Sequence, residues 1–139
     1  MILIDTNVVS ELMRPAPAPA VLAWFADRNA ADLFLSAVSE AELRAGAAYL
    51  PAGRRREGLV AAIDAMVAED FGGRVLPFDS AAAKSYAVIA AARRAIGQPI
   101  SEADCQIAAI AHAHGAVVAT RNVADFRGCG IEIIDPWKS

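Results

Sequence analysis

The decapeptide ILIDTNVVSE, residues 2–11, decides the fold class of this 139-residue chain. Three aliphatic residues run directly into Asp5, and Thr6 and Asn7 precede a second apolar segment. This pattern predicts a short buried strand that ends at an acid and leads into a helix. Ligands of open parallel α/β sheets bind at the carboxyl ends of the strands, so Asp5 is a candidate anchor for a metal ion or a phosphate.

Short apolar runs alternate with longer alanine-rich segments along the rest of the chain. The runs are typical of strands and the alanine-rich segments of helices. Strands are predicted at residues 2–4, 33–35, 75–76, 117–119 and 131–134. Helices are predicted at residues 7–13, 20–27, 40–48, 55–68, 81–95 and 102–114. This alternation predicts an α/β fold, with helices covering a mostly parallel sheet of about five strands.

Size and composition exclude several classes of protein. A chain of 139 residues suits a single domain, which removes roughly two-thirds of its unfolded surface from water. No stretch approaches the roughly 18 uninterrupted apolar residues that a membrane span needs, and the initial apolar run is too short for a signal peptide. The two cysteines lack metal-type spacing and secretory context, which predicts reduced thiols and a cytoplasmic location.

Two further acids stand near predicted helix starts. Glu42 follows the second strand and Asp104 follows a proline, and Ser39 and Ser101 precede them by three residues. One interpretation is helix capping, in which each serine bonds the N3 amide and Glu42 completes a capping box. The other is convergence, because a helix that follows a parallel strand starts near the sheet edge that carries Asp5.

The segment VVATRNVADF, residues 117–126, supplies the fourth acid. Thr120, Arg121 and Asn122 occupy the exit of a strand-like run, and Asp125 follows within about one turn. Asp125 is equally compatible with a site residue and with an ordinary loop or helix-start residue.

The order and spacing of six short motifs resemble those of the PIN-domain ribonucleases. The resemblance is to the VapC toxins of bacterial type II toxin–antitoxin pairs and, closest by pattern, to the FitB type. The motifs are IDTNVVSE at 4–11, AEL-x-x-G at 41–46, LPFD at 76–79, Ala103-Asp104, TRN-x-x-DF at 120–126 and Pro136-Trp137. The resemblance covers essentially the whole chain. It implies one three-layer α/β/α domain over residues 1–139 and a Mg²⁺- or Mn²⁺-dependent endoribonuclease.

The resemblance also implies a set of site residues. Some members of the family carry the fourth acid at the position of Asn122 and others at the position of Asp125. Thr6 and Thr120 match hydroxyl positions that line the family's site. The family's acidic residues match Asp5, Glu42, Asp104 and Asp125 of this chain.

Clustered carboxylates of this kind suit a divalent cation. They repel one another, which raises at least one pKa, and a cation relieves the repulsion. The cation would also orient the scissile phosphate and lower the pKa of the attacking water. In this hypothesis Asp5 and Asp104 are the principal ligands, Glu42 is a ligand or a water-orienting base, and Asp125 completes or supports the cage.

Arginines provide candidate contacts to RNA phosphates. The net charge of −3 argues against binding through a broad electropositive surface. Arg121, beside the predicted site, is the candidate contact to the substrate. Residues 54–56 and the pair Arg93 and Arg94 are either distant phosphate contacts or ordinary solvated surface.

The resemblance implies the partners too. Its members work as homodimers and are neutralised by a small antitoxin, which has a DNA-binding domain and a tail that covers the nuclease site. The expected partners are therefore RNA, an antitoxin and a second copy of the chain, with no membrane. The aromatic residues Trp24, Phe25 and Trp137 are candidates for this surface or for the core.

Two other functions fit parts of the sequence. A phosphoaspartate phosphatase also begins with a strand and an acid, but its second Asp is replaced by Asn7 here. A catalytically inactive PIN-like domain would bind RNA or a protein partner and keep the acids as helix caps. The histidines His112 and His114 precede Gly115 and predict a helix C-terminus and not a metal site.

Overall fold

The computed structural model describes residues 1–138 and contains a five-stranded sheet in which every pairing is parallel. The strands are β1 (Ile2–Ile4), β2 (Leu33–Ser36), β3 (Val75–Leu76), β4 (Val117–Ala119) and β5 (Ile133–Ile134). Their order in the sheet is β3-β2-β1-β4-β5, so β1 is central. The predicted fold class is confirmed, although β5 is two residues shorter than expected.

Seven α-helices lie within the described residues. They are α1 (Thr6–Leu12), α2 (Pro19–Ala26), α3 (Ala37–Ala48), α4 (Arg54–Ala65), α5 (Ser80–Ala95), α6 (Glu102–His114) and α7 (Val123–Phe126). A π-helical turn at Met66–Asp70 continues α4, and a 3-10 turn at Ala30–Asp32 precedes β2. The single turn α7 was not predicted. None of these helices is long and apolar enough to cross a membrane.

Two hydrophobic cores, one on each face of the sheet, define three layers. Successive residues of a strand point to opposite faces, so Leu3 and Ile4 belong to different cores. The core that contains Leu3 is closed by α5 and α6. The core that contains Ile4 is closed by α1, α2 and the end of α4, and Trp24 is buried in it. Trp24 is therefore a core residue and not part of a binding surface.

The start of α3 differs from the prediction. The helix begins at Ala37, directly after β2, and Ser36 caps it by accepting a 2.9 Å hydrogen bond from the Ser39 amide. The expected capping role of Ser39 is therefore wrong. Glu42 consequently lies beyond the first turn, where the capping-box interpretation no longer applies. The corresponding expectation for α6 is confirmed, since Ser101 accepts a hydrogen bond from the Asp104 amide.

Candidate acidic site

Asp5 connects the central strand to the first helix. It follows β1 in an extended conformation and caps α1, with Oδ1 accepting a 2.8 Å hydrogen bond from the Thr6 amide. No loop separates the strand from the helix, so the carboxylate is held at the carboxyl edge of the sheet. Its side chain is buried, with 4% of the residue exposed. A buried carboxylate at this edge requires polar partners.

Those partners come from the first turn of α1 and from the residue that directly follows β4, the strand next to β1 in the sheet. The Thr120 hydroxyl donates to Asp5 Oδ2 over 2.7 Å, and the Asn7 side-chain amide donates to the same oxygen over 3.1 Å. Asn7 also accepts from the Arg121 amide, and Thr120 accepts from the Asn122 amide. This network joins the β1–α1 connection to the β4–α7 connection and fixes the orientation of the Asp5 carboxylate.

Glu42 is linked to the same edge through Thr6. The Thr6 hydroxyl donates to Glu42 Oε1 over 2.6 Å, and it lies 2.9 Å from the hydroxyl of the buried Ser39. The two partners are 33 and 36 residues from Thr6 in the sequence. Glu42 therefore makes a tertiary contact at the sheet edge, and its carboxylate is exposed to solvent.

Asp104 and Asp125 stand on two further elements, α6 and α7. Burial raises the pKa of Asp104, and the negative charges of Asp125 and Glu42 raise it further. The Ser101 hydroxyl and the Arg93 guanidinium act in the opposite direction. Asp125 itself is exposed. The four predicted acids thus come from four separate parts of the fold. Asp104 and Glu42 influence Asp5, and Glu42 and Asp125 influence Asp104.

The electrostatics of Asp5 reflect this arrangement. Burial raises its pKa from 3.8 to about 6, the hydrogen bonds from Thr120 and Thr6 oppose the rise, and the charges of Asp104 and Glu42 add to it. A pKa perturbed by burial and by specific like charges is typical of functional sites. The site would gain from a cation that offsets the negative charges.

The arrangement of the acidic side chains is compatible with an open, partly hydrated site for a divalent cation and not with a closed protein cage. Within residues 1–138, no three His, Cys, Asp or Glu side chains lie close enough together to hold a metal ion. The carboxylates therefore interact without forming a closed cage. Mg²⁺, however, usually keeps several waters and is bound through one or two carboxylates together with substrate phosphates. An all-oxygen donor set with one buried carboxylate, Asp5, fits such an open site.

Arg121 is joined to the network around Asp5 by its backbone amide, which donates to Asn7. Its guanidinium stands 4.9 Å from the centre of the Trp137 ring, which provides a cation–π contact. The pKa of Glu11 is lowered chiefly by hydrogen bonds from the Ala18 amide and Arg14, and the positive charge of Arg121 adds to this. The residue remains exposed. Arg121 is thus oriented by its neighbours and accessible to a ligand.

Three residues that organise the site were missed or misassigned from the sequence. Asn7 bridges two strand ends, although the sequence identified it only as a missing second acid. Ser39 contacts Thr6 instead of capping a helix. Arg93, expected either at a phosphate or on the surface, is 6% exposed and donates to backbone carbonyls. The sequence did contain a signal for this burial, because Arg93 lies four residues after Ile89 and therefore on the same face of the helix.

Fold and site together define a class of protein: a parallel three-layer α/β/α domain with electrostatically interacting carboxylates at the carboxyl edge of its sheet. The sequence profile of the PIN domain family matches residues 2–127. The chain belongs to this family.

Its relatives are of the VapC and FitB types. The chain is 46% identical to "VapC ribonuclease Y4jK" of Sinorhizobium fredii, with 99% of each chain covered. It is 40% identical to "Toxin FitB" of Neisseria gonorrhoeae, again with 99% of each covered.

Solved structures of related proteins have the same fold over the same length. The chain resembles a chain of the FitAcB structure from Neisseria gonorrhoeae with a TM-score of 0.93, 40% identity and 100% of both chains covered. It resembles a chain of FitAB bound to the IR36 DNA fragment with a TM-score of 0.92 and 39% identity, covering 99% of this chain and 96% of that one. The predicted family resemblance is confirmed.

Proposed function

We propose that this protein is a divalent-metal-dependent endoribonuclease that acts as the toxin of a toxin–antitoxin pair. The observation that carries the proposal is the buried Asp5 carboxylate, whose raised pKa reflects its burial and the charges of Asp104 and Glu42. Membership of the PIN domain family and the similarity to a protein named VapC ribonuclease support it.

In this proposal each acid has a role. Asp5 and Asp104 hold a Mg²⁺ or Mn²⁺ ion, which when bound would neutralise charge on the phosphodiester and lower the pKa of the attacking water. Glu42 is a further ligand or orients that water, since its carboxylate is already fixed by the Thr6 hydroxyl. Asp125 completes or supports the ligand set, a role supported by the effect of its charge on Asp104.

Asp125 is preferred to Asn122 as the fourth residue. The charge of Asp125 contributes to raising the pKa of Asp104. Asn122 connects to the site through its backbone amide, which donates to Thr120. Thr6 and Thr120 orient carboxylates, and Arg121 contacts an RNA phosphate beside the site.

A second function, an inactive domain that binds RNA or a protein, has one observation in its favour. No three metal-ligating side chains lie close enough together in the described part of the chain to hold an ion. Calorimetric titration with Mn²⁺ separates the two proposals. Heat of binding that disappears in Asp5→Asn supports the nuclease, and absence of heat in the wild-type protein supports the inactive domain.

An antitoxin is the proposed protein partner, together with a second copy of this chain. A groove of about 760 Å³ begins at Thr6 and Glu42 and continues between α1, α3 and α4, where Leu43 and Leu59 line it. Such a groove suits a peptide segment that binds through apolar anchors and reaches the site. Leu59→Asp should weaken neutralisation by the antitoxin, whereas Val60→Asp, which does not line the groove, should not. Equal effects of the two variants would contradict this assignment.

The nuclease proposal is tested by incubating the protein with a panel of structured RNAs in Mg²⁺, in Mn²⁺ and in EDTA. Asp5→Asn and Asp104→Asn should each reduce cleavage by more than about 100-fold, beyond the usual effect of losing an outer-shell partner. Asp27→Asn, an exposed substitution at the end of α2, is the matched control and should cleave normally. Undiminished cleavage by both site variants would refute the mechanism.

A further inference from the structure

A buried arginine lies behind the acidic site. Arg93, in the last turn of α5, is 6% exposed, and none of the ion pairs found among residues 1–138 includes it. A charge removed from water without a salt bridge has to be stabilised mainly by hydrogen bonds, although the guanidinium also interacts with the charge of Asp104. Neighbouring Arg94 is exposed, so the two arginines have different roles.

Most hydrogen bonds of Arg93 converge on residues 123–129, the α7 segment, which includes Asp125. One terminal nitrogen donates to the Asp125 carbonyl over 2.7 Å and to the Arg127 carbonyl over 2.9 Å, and it lies 3.7 Å from Cys129 Sγ. The Nε atom donates to the Gln98 carbonyl over 2.7 Å. The guanidinium therefore connects the end of α5 to residues 125–129.

This segment has little helical stability of its own. The helix α7 has four residues and lacks a side-chain cap at Asn122, and isolated helices of one turn are unstable in water. Gly128 lies against the arginine stem, since a Cβ at this position would be 3.6 Å from Arg93 Cδ. The buried Phe126 and Cys129 pack the segment into the core. Arg93 adds side-chain hydrogen bonds to its backbone at Asp125 and Arg127.

We infer that Arg93 is a positioning residue, which holds the α7 segment so that Asp125 faces Asp104 in the acidic site. This inference rests on the proposed nuclease function. Arg93 does not touch the substrate in this scheme. It acts by fixing the backbone of residues 125–129, because its planar guanidinium presents several N–H donors in a fixed arrangement. The single ammonium group of a lysine cannot reproduce this arrangement.

The test compares Arg93→Lys with the matched control Arg94→Lys. Lysine keeps the charge and loses this arrangement of donors, so Arg93→Lys should lower kcat by about 10- to 100-fold, as outer-shell substitutions do, with KM for RNA unchanged. Hydrogen exchange should accelerate at the amides of residues 123–130 and not in α6. Arg94→Lys should match the wild-type protein in both measurements.

Several results would overturn the inference. The inference is wrong if Arg93→Lys has the kcat of the wild-type protein or if hydrogen exchange at residues 123–130 is unchanged. It is also wrong if exchange accelerates throughout the chain, because that result indicates general destabilisation. If Arg93→Lys does not fold, Gly128→Ala loosens the same segment through its φ of +76° and should also lower kcat; wild-type kcat there refutes the inference. Absence of cleavage by the wild-type protein would refute the proposed function, whereas the exchange rates would still decide whether Arg93 holds the segment.

Discussion

The charge on Asp5 should make the metal-free protein less stable as pH rises. The pKa of this buried carboxyl is raised from 3.8 to about 6, so the folded state retains the proton to a higher pH than the unfolded state. Stability attributable to Asp5 is fully present below pH 3.8 and is lost as pH rises through about 6. The difference of about 2 units corresponds to roughly 3 kcal/mol at 1.36 kcal/mol per unit.

Urea unfolding in EDTA measures this effect, with Asp5→Asn as the reference that does not titrate. The free energy of unfolding of the wild-type protein relative to Asp5→Asn should fall by about 3 kcal/mol from below pH 3.8 to pH 7.5. Carboxyl groups that do not interact with Asp5 contribute equally to both proteins and cancel in the difference, so that Asp5 and its coupling to Asp104 and Glu42 remain. A pH-independent difference, or one that favours the wild-type protein as pH rises, would refute the electrostatic account of the site.

Three further substitutions test separate parts of the structure. Thr120→Val removes a hydroxyl that donates to Asp5, so it should raise the pKa of Asp5 further and move the acidic limb of the pH–rate profile to higher pH; an unmoved limb would contradict this role. Ser36→Ala removes the cap of α3 and should lower the free energy of unfolding in urea by about 1 kcal/mol. Ser39→Ala keeps this cap, because Ser39 contributes only its backbone amide to it. Leu3→Ala, in a fully buried position, should cost about 2–5 kcal/mol, and a loss below 1 kcal/mol would count against the assigned core.

The fold could be predicted because its signals are local. Apolar runs of strand length, such as Val117–Ala119, are followed by residues that leave the sheet, and the starts of most helices have strong caps or breakers. The boundary of α3 could not be predicted in the same way. Ser36 and Ser39 are both good caps followed by helix-compatible residues, and only the end of β2 at Ser36 decides between them.

The site was predictable in its residue types and not in its contacts. Acids at strand ends and helix starts predicted a carboxylate cluster from topology alone. The Thr6–Glu42 hydrogen bond depends on how β1, β2 and α3 pack, which local sequence does not specify. The burial of Arg93 follows the stripe of buried residues along α5, which outweighs the usual preference of arginine for the surface. These buried residues are Ala82, Ser85, Ile89 and Arg93.

The central claim, that a divalent cation at the Asp5 site supports attack of water on RNA, is tested most directly by the end groups of the cleavage products. Water as the nucleophile, acting in the manner implied by the resemblance to PIN-domain ribonucleases, predicts a 5′-phosphate and a 3′-hydroxyl, formed with Mg²⁺ or Mn²⁺ and not in EDTA. A 2′,3′-cyclic phosphate that forms equally well in EDTA would show attack by the RNA's own 2′-hydroxyl and would contradict the claim.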